Sequence, residues 1–239
     1  MYRARVIPRL LIRGKGLVRT RRFKDPVFVG DPVNAMRIFS DSEVGEIVLI
    51  DIGGSRERCE PSYKLIPEMA GGAFIPDAYL GGPRHLDQTS RLIRCGIEKV
   101  AINTAATVST DIVGYADIVF GGQSAVSSVD VGKAVFGGYR LVTKSARVDT
   151  GPSLEEYIQN LIAVGVGEIY LNSVDGDGMV AGYDLPLIRS ASQKVKVLVI
   201  ACGGAGVFDA FRRQFVTVGR LLLLQEAGLC SMGSTARCL

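Results

Sequence analysis

Short apolar runs alternate along the chain with stretches of helical period. Arg5–Ile12, Ile47–Ile52, Phe74–Tyr79, Val100–Asn103, Ala125–Asp130, Ile169–Leu171 and Val197–Ala201 read as strands, and Leu221–Leu224 supplies an eighth. Between them, Asp31-Pro32 opens a helix, and Ser153 with Glu156 forms a capping box ahead of Tyr157–Val164. Strand and helix in strict alternation argue for βα units on a parallel sheet. So many units in 239 residues point to a single (β/α)8 barrel domain over 1–239, an α/β fold of two half-barrels, about 1–120 and 121–239. No Gly-x-Gly-x-x-Gly follows the first strand, which argues against a dinucleotide fold.

The stretch Gly165–Asp184 organises the rest. A short buried strand there runs into a glycine-rich segment carrying Asp175 and Asp177, and the segment just past a strand is where barrels keep their chemistry. The chain also echoes itself. Gly81-Gly82 and Gly203-Gly204 end strands three and seven, while Asp51 and Asp175 end strands two and six, at a spacing near half the chain. Glycine amides after strands three and seven would form two phosphate cradles, suited to a substrate with a phosphate at each end.

Composition narrows the class. With 47% hydrophobic and 22% charged residues the chain has enough apolar material for one large core. No apolar run is long enough to span a bilayer and no secretory leader is recognisable, so a cytoplasmic protein is expected, without a membrane partner. Cys59, Cys95, Cys202, Cys230 and Cys238 fall in no metal pattern and read as reduced thiols. A single histidine, His85, argues against a histidine-built metal site or triad. The net charge of +4 is modest, but cations concentrate between Arg3 and Lys24, which favours a phosphorylated small molecule or a nucleic acid, or simply makes a solvated basic edge.

Arg5-Val6-Ile7-Pro8, Gly30-Asp31-Pro32, Leu49-Ile50-Asp51-Ile52, Ile102-Asn103-Thr104-Ala105-Ala106, Ser128-Val129-Asp130, Asn172-Ser173-Val174-Asp175, Asp177-Gly178, Gly182-Tyr183-Asp184 and Gly203-Gly204-Ala205-Gly206 follow one another in a specific order and spacing. On these the chain resembles the cyclase (HisF) subunit of imidazole glycerol phosphate synthase over about residues 1–210. The resemblance implies a two-phosphate (β/α)8 barrel that takes ammonia from a glutaminase partner. With it the family cleaves and cyclises a bis-phosphorylated ribulosyl aminoimidazole carboxamide nucleotide. It implies no cofactor, no metal and no nucleic acid.

Position by position, the resemblance makes Asp130 one of two catalytic carboxylates, but the other falls on Leu11, which cannot transfer a proton. The family's first-loop lysine falls on Arg19. The first cradle keeps Gly82, Asn103 and Thr104, flanked by Leu80 and Pro83, and the second keeps Asp177, Gly178, Gly203 and Gly204; Asp51 joins the substrate-binding set. Arg5, Glu46, Lys99 and Glu168 each precede a strand and match the family's ring of charges at the ammonia entrance, which predicts a preserved gate and glutaminase-docking face. The lost carboxylate leaves three readings: the histidine-pathway cyclase; the paralog that delivers ammonia for amidino-sugar formation in lipopolysaccharide O-antigen synthesis, which Leu11 and Asn172-Ser173 fit better; and a non-catalytic scaffold.

Three features depart from a regular barrel. Pro67 falls inside a helical pattern, and Asp77 falls inside a strand expected to be buried on both faces. After about Phe211 the family pattern fragments. Leu221–Leu224 remains as an eighth strand and Gly228 or Gly233-Ser234 as a phosphate loop, but no closing amphipathic helix is visible, as a shifted reading frame or truncation would leave it. The expectation is a displaced last strand, unpaired edges on strands one and seven, a weakened second cradle and low stability.

Overall fold

The computed structural model describes residues 6–42, 44–56, 59–71, 77–81, 83–103, 106, 111–121, 125–135, 137–143, 148–149, 152–193, 195–205 and 221–226. In chain order the elements begin β1 (Val6–Arg13), β2 (Gly16–Arg21), β3 (Lys24–Gly30), α1 (Pro32–Asp41), β4 (Ile47–Asp51), α2 (Ile52–Arg56), α3 (Leu65–Ala70), β5 (Asp77–Leu80), α4 (Leu86–Arg94) and β6 (Lys99–Ile102). They continue α5 (Asp111–Phe120), β7 (Ala125–Lys133), β8 (Tyr139–Thr143), β9 (Val148–Asp149), α6 (Leu154–Ala163), β10 (Glu168–Ser173), α7 (Leu185–Ser192), β11 (Leu198–Cys202) and β12 (Leu221–Glu226).

The parallel strands run β1-β4-β5-β6-β7-β10-β11-β12 and close on themselves, because β7 pairs with β10 and β12 pairs back onto β1. This is the (β/α)8 barrel read from the alternation, and these are barrel strands one to eight in that order. Two excursions at the C-terminal end interrupt it. The hairpin β2–β3 leaves β1, and β8 returns antiparallel along β7.

Among the described side chains, the residues of barrel strands one to seven are buried on both faces, which is why these strands read as unbroken apolar runs. Ile7, Val48, Ala78, Ala101, Val126, Tyr170 and Ile200 fill the lumen. On the outside, Leu10, Ile12, Leu49 and Tyr79 pack with the helix residues Met36, Ile66 and Leu92 in one half. Val129, Ile169, Leu171 and Val199 pack with Tyr157, Ile158, Leu161 and Leu187 in the other. The helices start where expected. The carboxylate of Asp31 accepts from the Asn34 amide at 2.8 Å with Pro32 following, and the Ser153 hydroxyl accepts from the Glu156 amide at 3.1 Å.

Three expectations are corrected. β12 lies between β11 and β1, with Leu222 opposite Ile200 and Val6 opposite Leu223, so the edges of strands one and seven are paired. The phosphate-loop candidates Gly228 and Gly233-Ser234, and any closing helix, lie outside the described residues. Pro67 is the third residue of α3, in the first turn, where the N–H it lacks has no intrahelical partner anyway. Asp77 opens β5 rather than interrupting it. It lies on the face that carries Tyr79, 3% exposed, with Oδ2 lacking a hydrogen-bond partner. Burial lifts its pKa to about 6, against a hydrogen bond from the Glu98 amide.

The half-barrel echo is exact in one place. A Cβ on Gly81 (φ +105°) would strike the Asp51 carbonyl, and one on Gly203 (φ +84°) would strike the Ser173 carbonyl. Strand ends two and six therefore correspond at Asp51 and Ser173, not at Asp51 and Asp175.

Candidate active site at the barrel mouth

Carboxylates survive inside a barrel only where donors compensate for lost water. Asp130, near the end of barrel strand five, is 6% exposed. Its Oδ1 accepts from Asn172 Nδ2 at 2.9 Å and its Oδ2 from Asn103 Nδ2 at 2.8 Å. Those amides project from the ends of barrel strands six and four, the neighbours of strand five on either side. Burial raises the Asp130 pKa to about 6, and the hydrogen bonds from Asn172 and Asn103 and the charge of Arg9 hold it from going higher. A carboxyl poised there can both take and give a proton near neutral pH.

Around Asp130 the mouth is lined by Arg9, Ser128, Asn103 and Asn172 at the polar floor and by Leu11, Ile50, Leu80 and Phe23 as an apolar wall. Leu11 lies in the strand-one position that mirrors Asp130, is 5% exposed, and offers no second proton carrier. Asp51 also lines the mouth, but its Oδ1 accepts from the Gly53 and Gly54 amides at 2.9 and 3.1 Å, and its Oδ2 takes the Tyr79 hydroxyl at 2.9 Å. It thereby fixes the turn into α2.

The other expected site residues divide. Arg19 is exposed on β2, and the residues of that hairpin that line the mouth are Thr20 and Phe23. Asp177, 1% exposed, accepts from Arg9 Nη2 at 2.7 Å, Thr20 Oγ1 at 2.8 Å and the Phe23 amide at 3.0 Å. Gly178 (φ +64°) is seated against the Thr20 carbonyl, where a Cβ would collide. Gly203 and Gly204 both take left-handed φ at the end of barrel strand seven, and the Gly204 carbonyl accepts from the Gly182 amide at 2.8 Å. Asn103, expected in the first cradle, donates its side-chain amide to Asp130. Asp175 accepts from the Lys133 amide at 2.7 Å. Gly82 and Thr104 lie outside the described residues.

Arg9, Asn172 and Ser128 were not singled out as site residues from the sequence. A detectable signal existed for the first: Arg9 alternates with Ile7 and Leu11 on the lumen face of an otherwise apolar strand, so its charge had to find a buried partner.

At the opposite end of the barrel, Lys99 Nζ binds Glu46 Oε1 at 3.1 Å and Glu168 Oε1 at 3.0 Å. The Tyr170 hydroxyl donates to Glu46 Oε1 at 3.3 Å. Burial disfavours the Lys99 charge, but the two carboxylates outweigh it and raise its pKa. Three of the four expected rim charges therefore meet in one cluster across the lumen, and Arg5 lies outside the described residues. Cys95 and Cys202 are free thiols, and among the described residues no cluster of His, Cys, Asp or Glu is arranged to hold a metal. No described helix is long and apolar enough to cross a membrane.

Comparison with known proteins fits this geometry. The pattern of the family described as "Histidine biosynthesis protein" matches residues 5–222. The chain is 44% identical to a protein of Pseudomonas aeruginosa provisionally named imidazole glycerol phosphate synthase subunit hisF2, over 91% of this chain and 88% of that one. It is 36% identical to the imidazole glycerol phosphate synthase subunit HisF of Thermobifida fusca, over 87% and 83%. It is 30% identical to the subunit of the same name from Streptococcus sanguinis, over 99% and 96%.

Proposed function

This chain belongs to the histidine biosynthesis protein family as a HisF-type subunit of imidazole glycerol phosphate synthase, and from that premise we propose how it works. It receives ammonia from a glutaminase subunit docked on the rim that carries Glu46, Lys99 and Glu168. At the mouth it uses that ammonia to convert a bis-phosphorylated ribulosyl aminoimidazole carboxamide nucleotide to imidazole glycerol phosphate and an aminoimidazole carboxamide ribotide.

One observation carries the reading. Asp130 is a carboxyl of pKa about 6 on the floor of a mouth walled by Leu11, Ile50 and Leu80, with its geometry fixed by two asparagine amides. Asn103 and Asn172 donate to both oxygens, so the proton that Asp130 takes must come from the mouth side, where substrate would lie. Leu11 puts no acid or base at the strand-one position opposite Asp130, so a proton that the family's second carboxylate would carry there comes from water or from the substrate itself. Backbone amides near Gly81 and near Gly203-Gly204 are the anion-binding groups this reading assigns to the two phosphates.

A second reading has its own support. Identity is 44% with a subunit named hisF2 and 40% with a Vibrio vulnificus subunit named hisF3, against 30% and 36% with subunits that carry no such number. With Leu11, this favours a paralog in which ammonia is passed to a different acceptor, as in amidino-sugar formation. Growth of a cyclase-deficient strain on this gene without histidine decides between them. Rescue that Asp130→Asn abolishes, with turnover falling on the order of 10²-fold or more, supports the cyclase. Failure to rescue by the expressed, folded chain refutes it and leaves the paralog or the non-catalytic scaffold.

A further inference from the structure

The side chain of Arg9 does not stay with its own strand. It leaves barrel strand one and meets Asp177 in the loop after barrel strand six, with Nη2 at 2.7 Å from Oδ1; its Nη1 lies 3.5 Å from Asn172 Oδ1 at the end of strand six itself. Strands seven and eight separate strand one from strand six along the shorter way round, so the guanidinium lies across the lumen. It is 3% exposed and its partner 1%.

The far end of this strut holds something else. The other oxygen of Asp177 takes the Thr20 hydroxyl at 2.8 Å and the Phe23 amide at 3.0 Å, while the Asp177 carbonyl takes the Arg22 amide at 2.9 Å. All three belong to the β2–β3 hairpin, which contributes Thr20 and Phe23 to the mouth. Its tip is unfavourable by itself: Arg22 and Phe23 both take left-handed φ, +50° and +58°, in a tight turn that usually needs Asn or Gly. Such a conformation persists where its surroundings over-determine it, and here the surroundings are Asp177 and the Gly178 backbone beneath Thr20.

We propose that Arg9 is a positioning residue: a strut across the lumen that fixes Asp177, and through it clamps the β2–β3 hairpin over the mouth in the strained form that shapes the site around Asp130. The clamp is a property of the folded chain and goes beyond the reading of its reaction. The same guanidinium is close enough to Asp130 to favour its ionised form, more strongly than Asp177 disfavours it. Arg9 therefore links lid position and proton affinity at one site.

The test uses the full chain and needs no activity. Amide hydrogen exchange resolved by NMR is compared for wild type and Arg9→Gln, with the Asp130 carboxyl titrated by its carbon shift. The expected result is exchange at Arg22 and Phe23 accelerated at least tenfold, with β4 and β10 amides unchanged, and an Asp130 titration moved to higher pH. Thr20→Val should loosen the same two amides without moving Asp130. If Arg9→Gln does not fold because the buried Asp177 charge loses its cation, Arg9→Gln/Asp177→Asn replaces both charges by amides, and acceleration at Arg22 is still expected. Wild-type exchange at Arg22 and Phe23 in either folded variant overturns the proposal. So does uniform acceleration through the barrel, since that would make Arg9 a core residue only.

Discussion

Asp130→Asn separates the cost of a poised carboxylate from the cost of its hydrogen bonds. In the folded protein the Asp130 pKa is raised to about 6 from an ordinary 3.8, chiefly by burial. Between those values the native state holds a proton that the unfolded chain has released, so wild-type stability falls as pH rises through this window and is flat above it. The separation, at about 1.4 kcal/mol per unit, is worth about 3 kcal/mol. Asparagine has no such dependence. It carries a nearly constant penalty of about 1–3 kcal/mol, because Asn103 and Asn172 both present N–H groups and only one oxygen remains to accept. The stability of Asp130→Asn relative to wild type, from urea denaturation at a series of pH values, should therefore improve by roughly 2–2.5 kcal/mol between about pH 4 and pH 7, most of the full separation. Asp77 titrates in a similar range but is present in both proteins and cancels in the difference. A difference that is constant with pH would refute the reasoning, since Asp130 would then ionise as it does in the unfolded chain.

Three further outcomes follow from the geometry. Leu11→Asp should raise ammonia-dependent cyclisation, measured with added ammonium salt, because it places a second carboxylate at the mouth opposite Asp130; no gain in a folded variant counts against the cyclase reading. Lys99→Met should cost about 2 kcal/mol in urea denaturation at pH 7, below the roughly 3–5 kcal/mol of a fully buried pair, because the lysine is 20% exposed while Glu46 and Glu168 face each other once it is gone. Gly203→Ala should lower stability by more than about 3 kcal/mol, since a left-handed φ and a collision with the Ser173 carbonyl act together. Gly137→Ala, at φ +91° but with open space around its Cβ position, should cost only about 1–2 kcal/mol; equal losses of thermal midpoint in the two variants would show that the close approach after strand seven carries no weight.

Barrel, strand order and end-to-end polarity were legible in the sequence because each depends on local signals. A strand buried on both faces must be apolar throughout, so Ile47–Asp51 and Leu198–Cys202 announce themselves, and a helix start needs an oxygen for its free amides, as Asp31 and Ser153 supply. The family resemblance pointed to Asp130 at a strand end and to Glu46, Lys99 and Glu168 at strand starts. Tertiary structure alone decided which charges meet. Arg9 and Asp177 are 168 residues apart and become partners only because barrel closure brings strands one and six around a common lumen. The hairpin tip at Arg22 and Phe23 carries no turn signal, since contacts from Asp177 and Gly178 hold a conformation that its own residues disfavour. The last strand divides between the two: Leu221–Leu224 reads as a strand from its apolar run, and the edges of β1 and β11, whose backbone groups it satisfies, decide that it closes the barrel.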